Sequence, residues 1–180
     1  RNGAVRGATG TSDNGVTAMY SPNIAYDSAD NPAMFVRWIA PAAVTGFGFE
    51  ILWSDAKTDE KLTSISAITS GAVPTVGNGI TDYVGFVMNT DMTLGTTIIL
   101  GDGTTGAVNG AAVGTYTPTA SAVVDMIIGI NANGTRGMIW DNGAFVGSFS
   151  ASNGPDSAVL VRPSFLFKTL DTTSKTIDIK

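Results

Sequence analysis

The sequence predicts an all-β fold built from two antiparallel sheets, and three observations support this prediction. Apolar residues alternate with small or polar ones at period two, most clearly over residues 47–54, which is the pattern of a half-buried strand. Asn142-Gly143 lies between two such runs and is typical of a two-residue hairpin, because a type I′ turn needs positive φ at both positions. No segment has a convincing helical period. The chain therefore divides into roughly ten to twelve short strands, as in a sandwich or a barrel.

Strand patterns begin at about residue 33. Residues 34–41 form the first predicted strand, which ends at Pro41, and the next predicted strand places Phe47, Phe49, Ile51 and Trp53 on one face. Residues 1–32 are polar and rich in glycine, so we predict an extended N-terminal arm there, either flexible or docked on a neighbouring subunit, and one sandwich domain over residues 33–180. The chain starts at Arg1 without a methionine, which suggests a processed product or a fragment.

The last third of the chain contains the strongest strand signals. A turn at Asn142-Gly143 would pair Trp140 with Phe145 and Ile139 with Val146. One face of the hairpin would then hold Met138, Trp140, Phe145 and Phe149. In the preceding strand a second shared face is predicted, consisting of Val124, Met126, Ile128 and Ile130.

Composition excludes several classes of function. The 180 residues are 43% hydrophobic and only 14% charged, so a packed fold is expected, with a surface of small polar residues or one covered by a partner. The net charge of −5 and the lack of a basic stripe argue against nucleic-acid partners. No apolar run is long enough for membrane insertion. Cysteine and histidine are absent, which removes disulfides and thiolate or imidazole metal sites.

The order of the predicted strands over residues 33–180 resembles the concanavalin A-like jelly roll of laminin G, lectin and glucanase domains. The matching segments are residues 124–149 with the NG turn, residues 159–179 with an RP step and a final strand containing ID, and the strand at residues 83–89. The resemblance implies a two-sheet antiparallel jelly-roll sandwich. The composition, with no Cys or His, many Thr, Gly and Ala, and an arm-like N-terminus, is similar to that of bacteriophage virion proteins.

Catalytic equipment is missing from the sequence. Glycosidases of the resembled superfold carry a Glu-x-Asp-x-x-Glu strand, yet the only two glutamates here, Glu50 and Glu60, lie outside any such motif. We interpret Glu50 as a solvated or ion-paired carboxylate. Without histidine the usual nucleophilic triad cannot form. The glycine-rich residues 101–110 contain no lysine and are predicted to be a plain loop. We therefore expect no catalytic residues and no enzyme activity.

Carbohydrate binding would need an exposed aromatic ring beside hydrogen-bonding Asp or Asn side chains. Two groups meet this description, and the alternative for each aromatic ring is a place in the core. The candidate ligand-binding residues are Tyr83 with Asp82, and Trp140 with Asp141 and Asn142.

No metal or cofactor site is predicted, although Ca²⁺ stays an open alternative. Calcium needs six to eight oxygen ligands, and oxygen-rich clusters occur at residues 27–31, at Asp102 and at residues 141–142. None of these has the spacing of an EF-hand loop, and aspartates in loops mainly form turns.

These features lead to two expectations about function. The first is a non-enzymatic structural protein of a virion, a capsid decoration, head-fibre or tail component, which binds other capsid or tail subunits and forms a homo-oligomer, with a trimer favoured. The alternative is a carbohydrate-binding module that binds a cell-surface glycan, as part of a phage fibre or of a secreted, extracellular adhesin.

Overall fold

The computed structural model describes residues 5–12, 15–20, 25–55, 66–67, 75–76, 80–90, 96–102, 116–131, 134–151 and 154–180. Fourteen strands and one short 3₁₀ turn, Ser28–Asp30, lie in these ranges. The strands in chain order are β1 Val5–Ala8, β2 Val16–Tyr20, β3 Tyr26–Asp27, β4 Ala33–Ile39, β5 Phe47–Ser54, β6 Ser66–Ala67, β7 Thr75–Val76, β8 Asp82–Asn89, β9 Thr97–Asp102, β10 Val123–Asn131, β11 Gly134–Asp141, β12 Ala144–Ala151, β13 Leu160–Thr169 and β14 Thr176–Ile179.

Two antiparallel sheets make up the fold, as the sequence predicts. Sheet A has the strand order β1-β14-β4-β10-β11-β12, and sheet B has the order β2-β13-β5-β8-β9, with β3 paired to one end of β13. A separate two-stranded ladder joins β6 and β7. Many of the neighbours are far apart in sequence, which is the topology of a jelly roll and not of a simple meander.

The hydrophobic core lies between the two sheets, because alternate residues of every long strand point inward. The predicted inward face of β5 is confirmed, with Phe47, Phe49 and Ile51 fully buried, and so is that of β10. Trp38 of sheet A contacts Phe49 and Phe167 of sheet B at ring-centroid distances of 5.3 Å each. Rings from both layers therefore interdigitate at the centre of the sandwich.

Trp53 of β5 connects the two layers through a polar contact. Its indole Nε1 donates a hydrogen bond of 3.1 Å to the Ile128 carbonyl oxygen of β10. Trp53 is buried, on the same face of β5 as Phe47, Phe49 and Ile51, as the sequence predicts. A buried indole N–H without a partner would be costly, so the bond favours this alignment of the two sheets.

The N-terminal residues do not form a separate arm within the described ranges. β1 pairs with β14, β2 pairs with β13, and β3 pairs with the start of β13. Thr9 is buried, and its hydroxyl accepts a hydrogen bond of 2.8 Å from the Lys175 backbone N–H. The division at residue 32 differs from the structure because short, glycine-rich strands carry little apolar periodicity even when they complete a sheet edge.

The hairpin after β11 has the predicted turn but a different register beyond it. Trp140 pairs with Phe145 as predicted, whereas Ile139 pairs with Gly147 and not with Val146. The cause is a β-bulge that inserts one extra residue into β12. Phe149 consequently points into the core, on the face opposite the one predicted, while Met138 and Trp140 point outward.

Candidate functional site

The outward side of sheet A carries a group of large side chains that the other described residues leave partly exposed. The ladder β4-β10-β11-β12 aligns them in two cross-strand rows, with neighbouring Cβ atoms about 4.5–5.5 Å apart. We call this surface the open face. Its first row contains Arg37, Asp125, Trp140 and Phe145, and its second row contains Phe35, Ile127 and Met138.

Aromatic rings dominate the open face. Phe35 and Phe145 are each 59% exposed, which is unusual for phenylalanine, and Trp140 is half-buried. The rings of Trp140 and Phe145 meet edge to face with their centroids 5.7 Å apart. This contact presents two joined aromatic surfaces to solvent at one edge of sheet A. Clustered exposed apolar groups of this kind mark an interaction surface.

A charged pair lies between the two aromatic groups. Arg37 Nε donates to Asp125 Oδ1 at 2.6 Å, and Arg37 Nη2 donates to Asp125 Oδ2 at 2.7 Å, which is a bidentate arrangement. The hydrogen bonds and the charge of Asp125 raise the pKa of Arg37. The guanidinium carbon lies 5.8 Å from the Phe35 ring centroid. The pair is thus held in place and offers both donor and acceptor atoms beside the rings.

Asp141 and Asn142 lie next to Trp140 in sequence but do not join it on the open face. Asp141 points to the other face, where its Oδ2 accepts hydrogen bonds from Tyr116 Oη at 3.1 Å and from the Thr119 N–H at 2.9 Å. Burial and the nearby Asp141 carboxylate raise the pKa of Tyr116. Asn142 Oδ1 accepts from the Val123 N–H at 3.1 Å. Both predicted ligand residues therefore hold the hairpin end against its neighbours.

Tyr83 and Asp82 are enclosed in the structure. The Tyr83 side chain is 0% exposed and packs with Leu52, Val87 and Ile99 on the outward side of sheet B. Asp82 is also buried, and its Oδ1 accepts a hydrogen bond of 2.8 Å from the Asp156 N–H. Tyr83 is therefore not available for stacking on a sugar ring in this arrangement. Of the two predicted aromatic candidates, only Trp140 is accessible.

The sequence favours a solvated or an ion-paired carboxylate at Glu50. Solvation is wrong, because Glu50 is only 2% exposed, on the outward side of sheet B between Leu166 and Val87. The ion-paired alternative stays a prediction. Glu60 and residues 103–110, which the sequence assigns to a glycine-rich loop, lie outside the described residues.

The described residues contain no group of three or more Asp, Glu, His or Cys side chains placed to hold a metal ion. In the cluster at residues 27–31, Asp27 Oδ1 accepts a hydrogen bond of 2.8 Å from the Ala29 N–H and caps the 3₁₀ turn. Asp141 accepts hydrogen bonds from Tyr116 and Thr119.

In the described part of the chain there is no helix of the length and apolarity that a bilayer crossing needs.

Sequence reasoning missed most of the open face. Phe35 and Arg37 alternate with core residues in β4, and Asp125 does so in β10, so their outward direction follows from period two. Their proximity to Trp140 does not, because β4 and β11 are separated by long intervening sequence and meet only through β10. Finding the cluster would have required the pairing and register of β4 and β11 with β10.

No family model matches the chain, and no curated protein matches it in sequence. Solved structures do match in fold. The Emp46p carbohydrate recognition domain, in a potassium-bound form, aligns over 98% of this chain and 85% of its own, with a TM-score of 0.63 and 12% identity. The seed lectin of Lotus tetragonolobus aligns over 97% of this chain and 84% of its own, with a TM-score of 0.56 and 10% identity. The fold is a concanavalin A-like jelly roll.

This jelly roll is shared by proteins that bind and by proteins that catalyse. The Bacillus licheniformis β-glucanase aligns over 91% of this chain and 74% of its own, with a TM-score of 0.51 and 11% identity. At such identities the likeness establishes the concanavalin A-like architecture, as the sequence predicts, and nothing about chemistry. The function has to be argued from the side chains on the surface.

Proposed function

We propose that this concanavalin A-like domain is a non-enzymatic carbohydrate-binding module and that the open face contacts the sugar. The observation that carries the proposal is the contact of the half-buried Trp140 with the exposed Phe145, beside the fixed Arg37–Asp125 pair. A sugar ring has a C–H face that packs against an aromatic surface, and it has hydroxyl groups that hydrogen-bond to charged side chains at its rim. Such a module would act on a cell surface, outside the cell, or on a virion.

The carboxylates of this face are suited to binding and not to hydrolysis. Glycoside hydrolysis needs one carboxyl group that donates a proton and a second that acts as nucleophile or base. Asp125 and Asp178, which point outward from sheet A, are both in bidentate pairs, with Arg37 and Arg6 respectively. The hydrogen bond from Arg6 lowers the pKa of Asp178. A carboxyl group with a lowered pKa, such as that of Asp178, lacks the character of a general acid.

Two substitutions on the open face test the proposal. Trp140→Ala and Phe145→Ala should each weaken glycan binding about tenfold or more. A central aromatic side chain at a binding surface commonly contributes about 2 kcal/mol or more to affinity, and about 1.4 kcal/mol corresponds to tenfold. The measurement is isothermal titration with oligosaccharides selected on an array of neutral and acidic glycans. Phe145→Ala is the more informative variant, because its ring is largely exposed and its loss should leave the fold intact.

Leu160→Ala is the matched control. Leu160 is 54% exposed on β13, in the other sheet, so its truncation removes a similar apolar surface away from the open face. We expect its glycan affinity to equal that of the wild type. Equal affinities for all four proteins, or no glycan binding by the wild type, would contradict the proposal.

A second candidate, the structural protein of a virion, is favoured by strand β12. Within the described residues β12 is the last strand of sheet A, and Ala144–Ala151 contains neither a charged residue nor a proline. Such an edge is open to strand addition by another subunit. Under this proposal the chain forms a homo-oligomer, with a trimer favoured from the sequence. A single monomeric species in sedimentation velocity at high concentration would count against it.

A further inference from the structure

Beside the open face lies a cavity of about 420 Å³. It is open to solvent and lies over the pairing of β11 with β12. Its outward side chains combine one cation, two hydroxyl groups and the thioether of Met138, and the described lining residues are Arg136, Gly137, Met138, Ser148, Phe149 and Ser150. Met138 belongs to both the cavity and the open face, so the two surfaces are continuous.

Among the described residues of this lining, Arg136 is the only charged one. It is exposed and pairs across the ladder with Ser150 on one side and with Gly129 on the other. Gly129 has no side chain and Ser150 has a short one, so the guanidinium is not crowded by its neighbours. Within the described ranges no carboxylate forms an ion pair with Arg136, in contrast to Arg6 and Arg37.

A guanidinium group with a planar array of N–H donors matches a planar carboxylate, which it can bind through two parallel hydrogen bonds. The hydroxyl groups of Ser148 and Ser150 can add donors or acceptors on the same side. The outward-pointing Met138 provides apolar contact for the ring carbons of a sugar. The combination fits a sugar that carries a carboxylate group.

We propose that Arg136 makes the module selective for acidic glycans, those containing uronic or sialic acids, by binding the sugar carboxylate in this cavity. The inference rests on the proposed carbohydrate function of the open face. In this arrangement a sugar ring stacks on Trp140 and Phe145, and another residue of the same glycan, about 13 Å further along β11, places its carboxylate at Arg136. The aromatic pair provides general affinity for sugar, and Arg136 provides the selection.

The test compares two forms of one glycan, hexagalacturonate and its methyl ester, which share a backbone and differ in charge. We expect the acid to bind wild-type protein about tenfold more tightly, as a charge-assisted bidentate contact requires. In Arg136→Gln this preference should disappear, while affinity for the ester is unchanged. Arg6→Gln is the matched control, because Arg6 lies on the opposite edge strand of sheet A and its loss changes the net charge equally.

The possible results separate the two proposals. Equal binding of acid and ester, or a preference that survives in Arg136→Gln, would overturn the role of Arg136 and leave binding on the open face in place. Failure of both forms to bind, with no Trp140-dependent glycan on the array, would overturn both. A sulfated carrageenan hexasaccharide that binds more tightly than hexagalacturonate through Arg136 would contradict the assignment of a carboxylate ligand.

Discussion

Glycines on the outward side of sheet B allow long side chains to lie flat against the strands. A Cβ atom at Gly85 would collide with the Ile51 carbonyl oxygen, which is backbone and cannot move aside, and would also contact Leu52. At Gly101 a Cβ atom would meet the ring of Tyr83. The burial of Tyr83, which removes it from the surface, therefore depends on the residue opposite it having no side chain.

Gly85→Ala should destabilise the protein by about 1–3 kcal/mol, the usual cost of overpacking a site that cannot relax. Gly129→Ala is the control, since its added Cβ would have only the Ala33 Cβ nearby, at 3.7 Å. We expect the control to be neutral or slightly stabilising, because alanine loses less backbone entropy on folding. Chemical denaturation of the two variants measures both values. A Gly85→Ala variant as stable as Gly129→Ala would contradict the close packing of Gly85 against β5.

Asp171 should make the fold sensitive to acid. Hydrogen bonds from the Thr173 N–H, Lys175 and Thr169 lower the pKa of Asp171 to about 2. Since this pKa is lower in the folded than in the unfolded chain, the carboxylate stabilises the fold above about pH 4, and this contribution is lost as the pH falls towards about 2. Between about pH 5 and about pH 2, the denaturant midpoint should therefore decrease less in Asp171→Asn than in the wild type. Equal decreases would contradict this role.

At the scale of elements, the β11–β12 hairpin has the most direct relation between sequence and structure. Asn142 has φ of 48° and Gly143 has φ of 81°, as the predicted turn requires. Asn142 also joins the turn to the start of β10, through Oδ1 and through its N–H, which donates to the Val123 carbonyl oxygen at 2.8 Å. The turn therefore fixes the edge of the open face as well as reversing the chain.

Two substitutions separate these contributions. Asn142→Gly keeps the positive φ and removes only the side-chain hydrogen bond, whereas Asn142→Ala loses the bond and adds backbone strain. We expect the alanine variant to be less stable than the glycine variant by about 1 kcal/mol. Thermal unfolding compared at equal protein concentration measures the difference. If alanine were tolerated as well as glycine, the positive φ would not be a constraint at this position.

The same hairpin shows where prediction from sequence ends. Period two gives the face of every residue up to Phe145, but a bulge has no reliable signal in composition, so the inversion of Phe149 could not be foreseen. β1 and β2 were missed for a related reason. Their stability comes from pairing with β14 and β13, which is tertiary and leaves no periodic pattern in residues 5–20.

At the scale of the whole molecule, the fold was predictable and most of the site was not. Strand alternation and one turn dipeptide indicate a two-sheet jelly roll, because each is a local consequence of backbone geometry. The sequence singles out Trp140 as a candidate, and its accessibility is compatible with that prediction. Its spatial neighbours Asp125 and Arg37 could not be found from the sequence, since they lie on other strands. The next residue along the chain, Asp141, points to the opposite face of β11.

Binding of a glycan to the open face should change the indole N–H signals in NMR spectra of ¹⁵N-labelled protein. The chain has three tryptophans, and Trp38 and Trp53 are buried in the core whereas Trp140 is accessible. On titration with hexagalacturonate and with cellohexaose, as acidic and neutral probes, we expect the Trp140 signal to shift in a saturable manner and the other two to stay in place. Saturable binding that leaves the Trp140 signal unchanged would show that the glycan binds away from the open face.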